Sequence, residues 1–410
     1  MVGMKTRYLQ VPLEQLCFSS HKMAFVSGPR QCGKTTMAKL LLAQRPSGLY
    51  RNWDDVVFRR QWVKNPSAIV PTPAKNAIPL IVLDEIHKAK GWKQALKGVF
   101  DTLTQPADIL VTGSARLSVY KKGSDSLTGR YFHFRLHPLT LGELESSDSL
   151  APDDVLSALF QRTRHPVKSA LTTFDALLKF GGFPEPLLGQ NERKARLWRR
   201  NRIDTVIRED VRDLTRIPEL GRIEMLAALL PERVGSPFSM TSLREDLEVS
   251  FDTVRRWTNL LKDLYYVHEI KPHHESIARS LRKEGKIYMW DYGEVPESAA
   301  RFENMIANHL LKACHLWTDT GEGTFELRYL RNKEKQEIDF LIVRDRHPWL
   351  PVEVKLADED PSPNWRRFLP ALKCRRALQL VAKPGVWREH TIGDTHLTVA
   401  SACEVLSYFP

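Results

Sequence analysis

Over the first third of the chain, short apolar runs alternate with segments of helical period. Residues 22–27 (Lys-Met-Ala-Phe-Val-Ser) form an apolar run ahead of a glycine-rich turn, which predicts a buried strand. Met37, Leu40 and Leu41 then recur at helical spacing and predict a helix over 35–44. Residues 80–83 (Leu-Ile-Val-Leu) and 109–112 (Ile-Leu-Val-Thr) are continuous apolar runs, as expected of parallel strands covered on both faces. A helical pattern over 92–103 separates them, and another strand fits near Tyr50 to Trp53. Residues 131–136 alternate, which predicts a strand near the sheet edge. Such β-α alternation gives an α/β core, a parallel sheet flanked by helices.

From about residue 146 the pattern changes. Helices are predicted over 154–162 and 171–180, and Gly181-Gly-Phe-Pro-Glu185 breaks the chain. Residues 192–213 read as one long, very basic helix. Residues 222–292 read as three helices and two short strands, and the remainder as helix, strand, strand, helix, strand. No repeat or low-complexity tract interrupts the chain.

The chemistry begins at Gly28, Pro29, Arg30, Gln31, Cys32, Gly33, Lys34 and Thr35, which fit G-x-x-x-x-G-K-[ST] between a strand and a helix. Glycines let backbone N–H groups curve around phosphates, and the helix N-terminus adds its positive end. In that motif Lys34 reaches the β- and γ-phosphates, Thr35 ligates Mg2+, and Thr36 follows in the first helical turn. About fifty residues on, the run 80–83 ends in Asp84 and Glu85, at the carboxyl end of a strand where ligands bind in such sheets. Asp84 is the candidate for the Mg2+ shell and Glu85 for activating the attacking water. Thr112 or Ser114, closing the next run, and Arg116 are candidates to sense the γ-phosphate. Arg130 is a candidate arginine finger, which requires a homo-oligomer if it acts in trans.

These motifs, with Thr112-Gly-Ser-Ala-Arg116, Gly129-Arg130, Pro138-Leu-Thr-Leu-Gly-Glu143, Gly181-Gly-Phe-Pro-Glu185 and Lys286-Ile-Tyr-Met-Trp-Asp291, resemble the AAA-type P-loop ATPases of bacteria and archaea that carry a DUF4143 C-terminal region. The resemblance spans nearly the whole chain. It implies an AAA-like ATPase core (1–145), a helical lid with a basic linker helix (146–221), a winged-helix-like middle (222–297) and a nuclease-like end (298–410).

The middle segment places Ser250 as N-cap of a helix that exposes Arg255, Arg256 and Lys262 and turns Val254, Trp257, Leu260, Leu261 and Leu264 inward. A recognition helix in a DNA groove has this layout, and so does a structural spacer. In the basic helix, Arg193, Lys194, Arg196, Arg199, Arg200 and Arg202 surround Trp198 and are candidates for phosphate contacts. At the end of the chain, Asp339 near the start of one strand, Glu353 and Lys355 at spacing two on the next, and Glu303 on the preceding helix resemble the PD-(D/E)xK site. That resemblance implies a second Mg2+ held by carboxylates.

Charge points the same way. Sixty-one Lys and Arg against 49 Asp and Glu leave +12, which favours an anionic partner, DNA first. Five scattered cysteines show neither metal-ligand spacing nor a disulfide framework. No apolar run is long enough to cross a bilayer, and a cytoplasmic location with no membrane partner is expected. The sequence leaves open a rival reading: an ATP-dependent switch that binds a protein partner and carries an inert nuclease-like end.

Overall fold

A computed structural model describes residues 6–71, 77–114, 117, 127–145, 151–163, 168–211, 220–273 and 284–410. Arg116 lies outside them. The chain forms two compact units, Met1–Pro138 and Leu139–Pro410.

The first unit is built on five parallel strands: β1 Met23–Ser27, β2 Gly48–Asn52, β3 Leu80–Asp84, β4 Asp108–Gly113 and β5 Tyr131–Arg135. Their order across the sheet is β2-β3-β4-β1-β5. β1, β3 and β4 are buried at every position, which is why they read as unbroken apolar runs. β5 is an edge strand in register with β1, Met23 facing Tyr131 and Ser27 facing Arg135. Helices Lys34–Ala43, Val56–Lys64 and Trp92–Asp101 make the crossovers. One face of the sheet packs Phe25, Leu83 and Val111 against Phe58, Trp62, Trp92 and Leu96. Because β1, β3 and β4 are adjacent and parallel, their carboxyl ends bring Gly28, Asp84 and Ser114 to one edge of the sheet.

The second unit begins with helices Leu141–Glu145, Pro152–Phe160, Lys168–Phe180, Pro184–Gly189 and Glu192–Asp204. The basic segment does not continue as one α-helix to 213. After Asp204 it passes into a π-helix, Thr205–Val211, where β-branched Thr205, Val206 and Ile207 crowd the α-helical turn. Helices Leu220–Leu229, Met240–Leu247 and Phe251–Asp263 follow, then the antiparallel pair β6 Val267–Pro272 and β7 Lys286–Met289. The remaining strands are β8 Phe325–Arg331, β9 Glu337–Arg344, β10 His347–Lys355, β11 Arg376–Val381, β12 Trp387–Ile392 and β13 Thr395–Ser401. All eight form one sheet, β12-β13-β11-β10-β9-β8-β6-β7. The expected boundary near 298 therefore divides a shared sheet, because β6 pairs with β8 through Lys271–Arg328 and Pro272–Tyr329.

Within this sheet, helix Ser298–Asp319 precedes the antiparallel strands β8, β9 and β10, and helix Trp365–Leu372 leads into β11, parallel to β10. No described helix is long and apolar enough to cross a membrane.

Candidate nucleotide site and C-terminal carboxylate cluster

β1 delivers the chain to Gly28, and the loop turns back on positive φ at Gln31 (61°) and Gly33 (98°) before helix Lys34–Ala43 starts. Gly33 supplies a left-handed conformation that costs other residues free energy. Gly28 is required for a different reason: a Cβ there would lie 2.3 Å from the Leu136 carbonyl oxygen. Lys34 is 7% exposed. Its ammonium donates to the carbonyls of Gly28 (3.0 Å) and Pro29 (2.6 Å), so it sits within the loop with one donor uncommitted to them. Arg7 braces the loop from behind, donating to the carbonyls of Cys32 (2.6 Å) and His137 (2.7 Å).

Asp84, 2% exposed, organises the second half. Its Oδ2 accepts from Thr35 Oγ1 (2.8 Å) and the Tyr50 hydroxyl (2.7 Å), and its Oδ1 from Thr112 Oγ1 (2.6 Å). Burial and the Asp84 carboxylate push the Tyr50 hydroxyl up to about 12, so it stays a donor. Thr35 and Asp84 thus stand side by side, the donor set a Mg2+ shell at a phosphate loop needs. Thr112, one of the two residues expected to sense phosphate, directs its hydroxyl to Asp84. Ser114 is buried at the same end of the sheet.

Glu85 holds a left-handed backbone (φ 59°), uncommon outside glycine and a mark of local strain. Burial raises its carboxyl pKa, opposed by Lys34 and Lys88. A raised carboxyl is better matched to accepting a proton near neutrality.

Arg130 does not join this group. It precedes β5, at the amino end of the sheet, and its guanidinium pairs with Asp101 at 2.6 and 2.9 Å. A five-residue strand, about 15 Å long, separates it from the phosphate loop. Arg130 therefore lies at the opposite end of the sheet from the phosphate loop of its own chain.

In the second unit the structure brings Glu303, Asp339, Glu353 and Lys355 together. Asp339 Oδ2 accepts from the Val354 amide (2.8 Å), Glu353 Oε2 from the Asp339 amide (3.3 Å), and Lys355 pairs with Glu353 Oε1 at 2.8 Å. Burial, with the Asp339 charge, raises Glu303 and Glu353 each to about 7, and burial also raises Asp339. The sequence reading missed Lys286. Its fully buried ammonium donates to Glu337 (2.8 Å) and stands 3.5 Å from Glu303 and 3.9 Å from Asp339. Tyr288 donates to Glu303 (2.7 Å). Among the described residues, no group of three or more His, Cys, Asp or Glu side chains is placed to hold a metal ion.

The proposed nucleic-acid contacts separate into two kinds. Arg196, Arg200, Arg255 and Arg256 are exposed. Arg199 instead turns inward, donating to buried Asp291 (2.9 Å) and to the Phe180 carbonyl (2.8 Å). Arg202 is buried beside Glu294. The inward arginines are held by carboxylates and so are not available to phosphates. A groove of about 480 Å³ runs past Arg196, Arg200 and Glu294. Ser250 caps helix Phe251–Asp263 as its sequence predicts, accepting from the Thr253 amide.

Residues 20–145 match the family model of an AAA domain, residues 171–299 a domain of unknown function (DUF8612), and residues 299–396 a domain of unknown function (DUF4143). An uncharacterized protein of Mycobacterium tuberculosis is 26% identical over 272 residues, 66% of this chain and 54% of that protein. The chain thus spans about half the length of this curated relative. An uncharacterized protein of Haemophilus influenzae is 22% identical over 307 residues, covering 69% of this chain and 72% of that one. Among solved structures, a Walker-type ATPase of Pyrococcus abyssi is similar at TM-score 0.40 and 13% identity, over 72% of this chain and 93% of that one. The Aeropyrum pernix ORC1 protein in complex with DNA is similar at TM-score 0.33 and 15% identity, over 74% and 94%. The AAA-domain match, lying over a phosphate loop whose lysine, threonine and aspartate are already grouped, supports an AAA-type ATPase.

Proposed function

We propose that this protein binds and hydrolyses Mg-ATP and works with DNA. The observation that carries the ATPase reading is the Thr35–Asp84–Thr112 hydroxyl–carboxylate chain beside the buried Lys34. Thr35 and Asp84 would hold Mg2+, which when bound neutralises charge on the phosphates. Lys34 and the amides from Arg30 to Thr36 bind and orient the β- and γ-phosphates. Glu85 accepts the proton of the attacking water, and Ser114 stands at the same sheet edge. Arg130 contributes only from a neighbouring copy in a homo-oligomer.

The DNA reading rests on the +12 charge and on the exposed Arg196, Arg200, Arg255 and Arg256. Its structural frame is the helix–helix–hairpin of residues 240–289, similar to a winged helix, and the strand–helix frame of the PD-(D/E)xK resemblance. The inward-facing Lys286 favours a second reading, in which the nuclease-like domain binds without cutting and ATP switches its hold on a partner.

Lys34→Ala should abolish tight ATP binding; unchanged affinity would refute the phosphate-loop assignment. Hydrolysis measured with single-stranded, duplex and branched DNA should rise with one form. Indifference to all of them, with no salt-sensitive binding, would favour a protein-directed switch. Divalent-dependent cleavage that disappears in Asp339→Ala and Glu353→Ala would rule out the non-cutting reading.

A further inference from the structure

The PD-(D/E)xK resemblance implies a divalent ion among Glu303, Asp339 and Glu353, and the structure does not fit one there. A hard divalent cation needs several oxygens at about 2.0–2.6 Å. Here most of the carboxylate oxygens are already engaged by the protein, and Asp339 Oδ1 stands 3.9 Å from the Lys286 ammonium. Glu337 Oε1 accepts from Lys286 and its Oε2 pairs with Arg331 at 3.0 Å. Glu353 divides its oxygens between Lys355 and the Asp339 amide. Asp339 commits Oδ2 to the Val354 amide, and Glu303 Oε1 takes the Tyr288 hydroxyl.

The space the carboxylates share is faced by the ammonium of Lys286, within 4 Å of Glu303, Glu337 and Asp339 and also over the Tyr329 ring. A buried lysine keeps its charge only when carboxylates surround it, and these do. Four carboxylates are thus answered by three cations: Lys286, Lys355 and Arg331. A divalent ion added to the same space would meet an ammonium at close range in a poorly screened interior.

We propose that Lys286 is the resident cation of this cluster, and that the carboxylates accept a divalent ion of the Mg2+ or Mn2+ class only once its ammonium is removed. The inference concerns the second unit alone and stands apart from the ATPase reading.

Mn2+ uptake by the nucleotide-free, full-length protein, followed by electron paramagnetic resonance, tests it. Wild type and Glu353→Gln should take up Mn2+ equally. Lys286→Met should bind about one further ion per chain at least tenfold more tightly than wild type binds any. That ion should vanish in the Lys286→Met/Glu353→Gln double variant, and Mn2+ should raise the melting temperature of Lys286→Met but not of wild type. A folded Lys286→Met that gains no ion would overturn the proposal. Should that variant fail to fold, wild type against Asp339→Asn still decides: equal uptake supports the inference, and a wild-type ion lost on Asp339→Asn refutes it. Because no nucleotide is present, the outcome leaves the Lys34→Ala test untouched.

Discussion

Replacing Gly28 by Ala probes the tightest approach in the nucleotide site. A methyl there would lie 2.3 Å from the Leu136 carbonyl oxygen and 3.3 Å from Cys32 Sγ. Carbon and carbonyl oxygen approach to about 3.3–3.6 Å, so one backbone must move by roughly 1 Å. Neither side yields freely. The Leu136 amide donates to Ser27 at 2.8 Å, and Arg7 ties the carbonyls of Cys32 and His137 together. Overpacking of this kind costs about 1–3 kcal/mol. Gly28→Ala should therefore lower the stability of the first unit by about 2 kcal/mol, within that overpacking range. The displacement also carries the loop amides off the phosphates, so ATP affinity should fall at least tenfold, or about 1.4 kcal/mol. Gly98→Ala is the matched control. Gly98 is exposed within helix Trp92–Asp101, and a Cβ there meets nothing within 4 Å. It should stabilise by about 0.5–1 kcal/mol through helix propensity. Hydrogen exchange at the amides of β1 and β4 reports the local stability, and titration with a fluorescent ATP analogue reports the affinity. Wild-type protection and affinity in Gly28→Ala would refute the close packing of the loop against Leu136.

Thr112→Val removes the hydroxyl bonded to Asp84 Oδ1 while keeping the shape, and should cost about 1.5–3 kcal/mol in thermal unfolding, with Thr112→Ser near wild type. Arg199→Ala leaves Asp291 buried without its partner and should destabilise by about 3–5 kcal/mol by denaturation. Arg200→Ala should leave stability within about 0.5 kcal/mol. Where DNA binds, it should also reduce the slope of log affinity against log salt by about 1. Glu353 titrates near 7 in the folded protein against an ordinary value of 4.5, so between these values the folded state holds more protons than the unfolded. Its contribution to stability is complete below about pH 4.5 and is lost as pH rises through about 7, so Glu353→Gln should flatten the decline of melting temperature with pH across that window.

The phosphate loop and its aspartate were legible because their chemistry follows local rules: a strand buried on both faces, glycines at a turn, a helix start. Tyr50 and Arg7 were not. Nothing local distinguishes a tyrosine on a half-buried edge strand from one facing solvent, and its role exists only because β2 lies beside β3. The position of Arg130 was hidden for the converse reason. Its Gly-Arg context resembles a finger, yet which end of the sheet it occupies is set by the parallel register of β5 on β1. β8 went unread although Phe325, Leu327 and Tyr329 alternate with Glu326 and Arg328, and its burial largely follows that alternation. The basic helix was legible as a helix, but which arginines face solvent was decided by the carboxylates of Asp291 and Glu294, far along the chain.

The segment Lys286-Ile-Tyr-Met-Trp-Asp291 shows how packing contacts can constrain a motif. Its residues divide among three sets of contacts. Lys286 and Tyr288 reach Glu337 and Glu303. Met289 offers its amide and carbonyl to Asn304 and Asn308 of helix Ser298–Asp319. Asp291 takes Arg199, and a Cβ on Gly181, from the Gly-Gly-Phe-Pro motif, would stand 2.4 Å from Asp291 Oδ1. Two separated motifs therefore meet at one ion pair, and glycine is required at 181 both by its positive φ and by that approach. A four-residue strand that is buried throughout can carry a lysine only if the carboxylates are delivered to it, and the helix and strands that follow β7 deliver them. The residue spacing in this motif is thus set by a strand that joins the basic helix to the carboxylate cluster within one unit. A substitution at Lys286 should accordingly be read first as a change of charge inside the sheet.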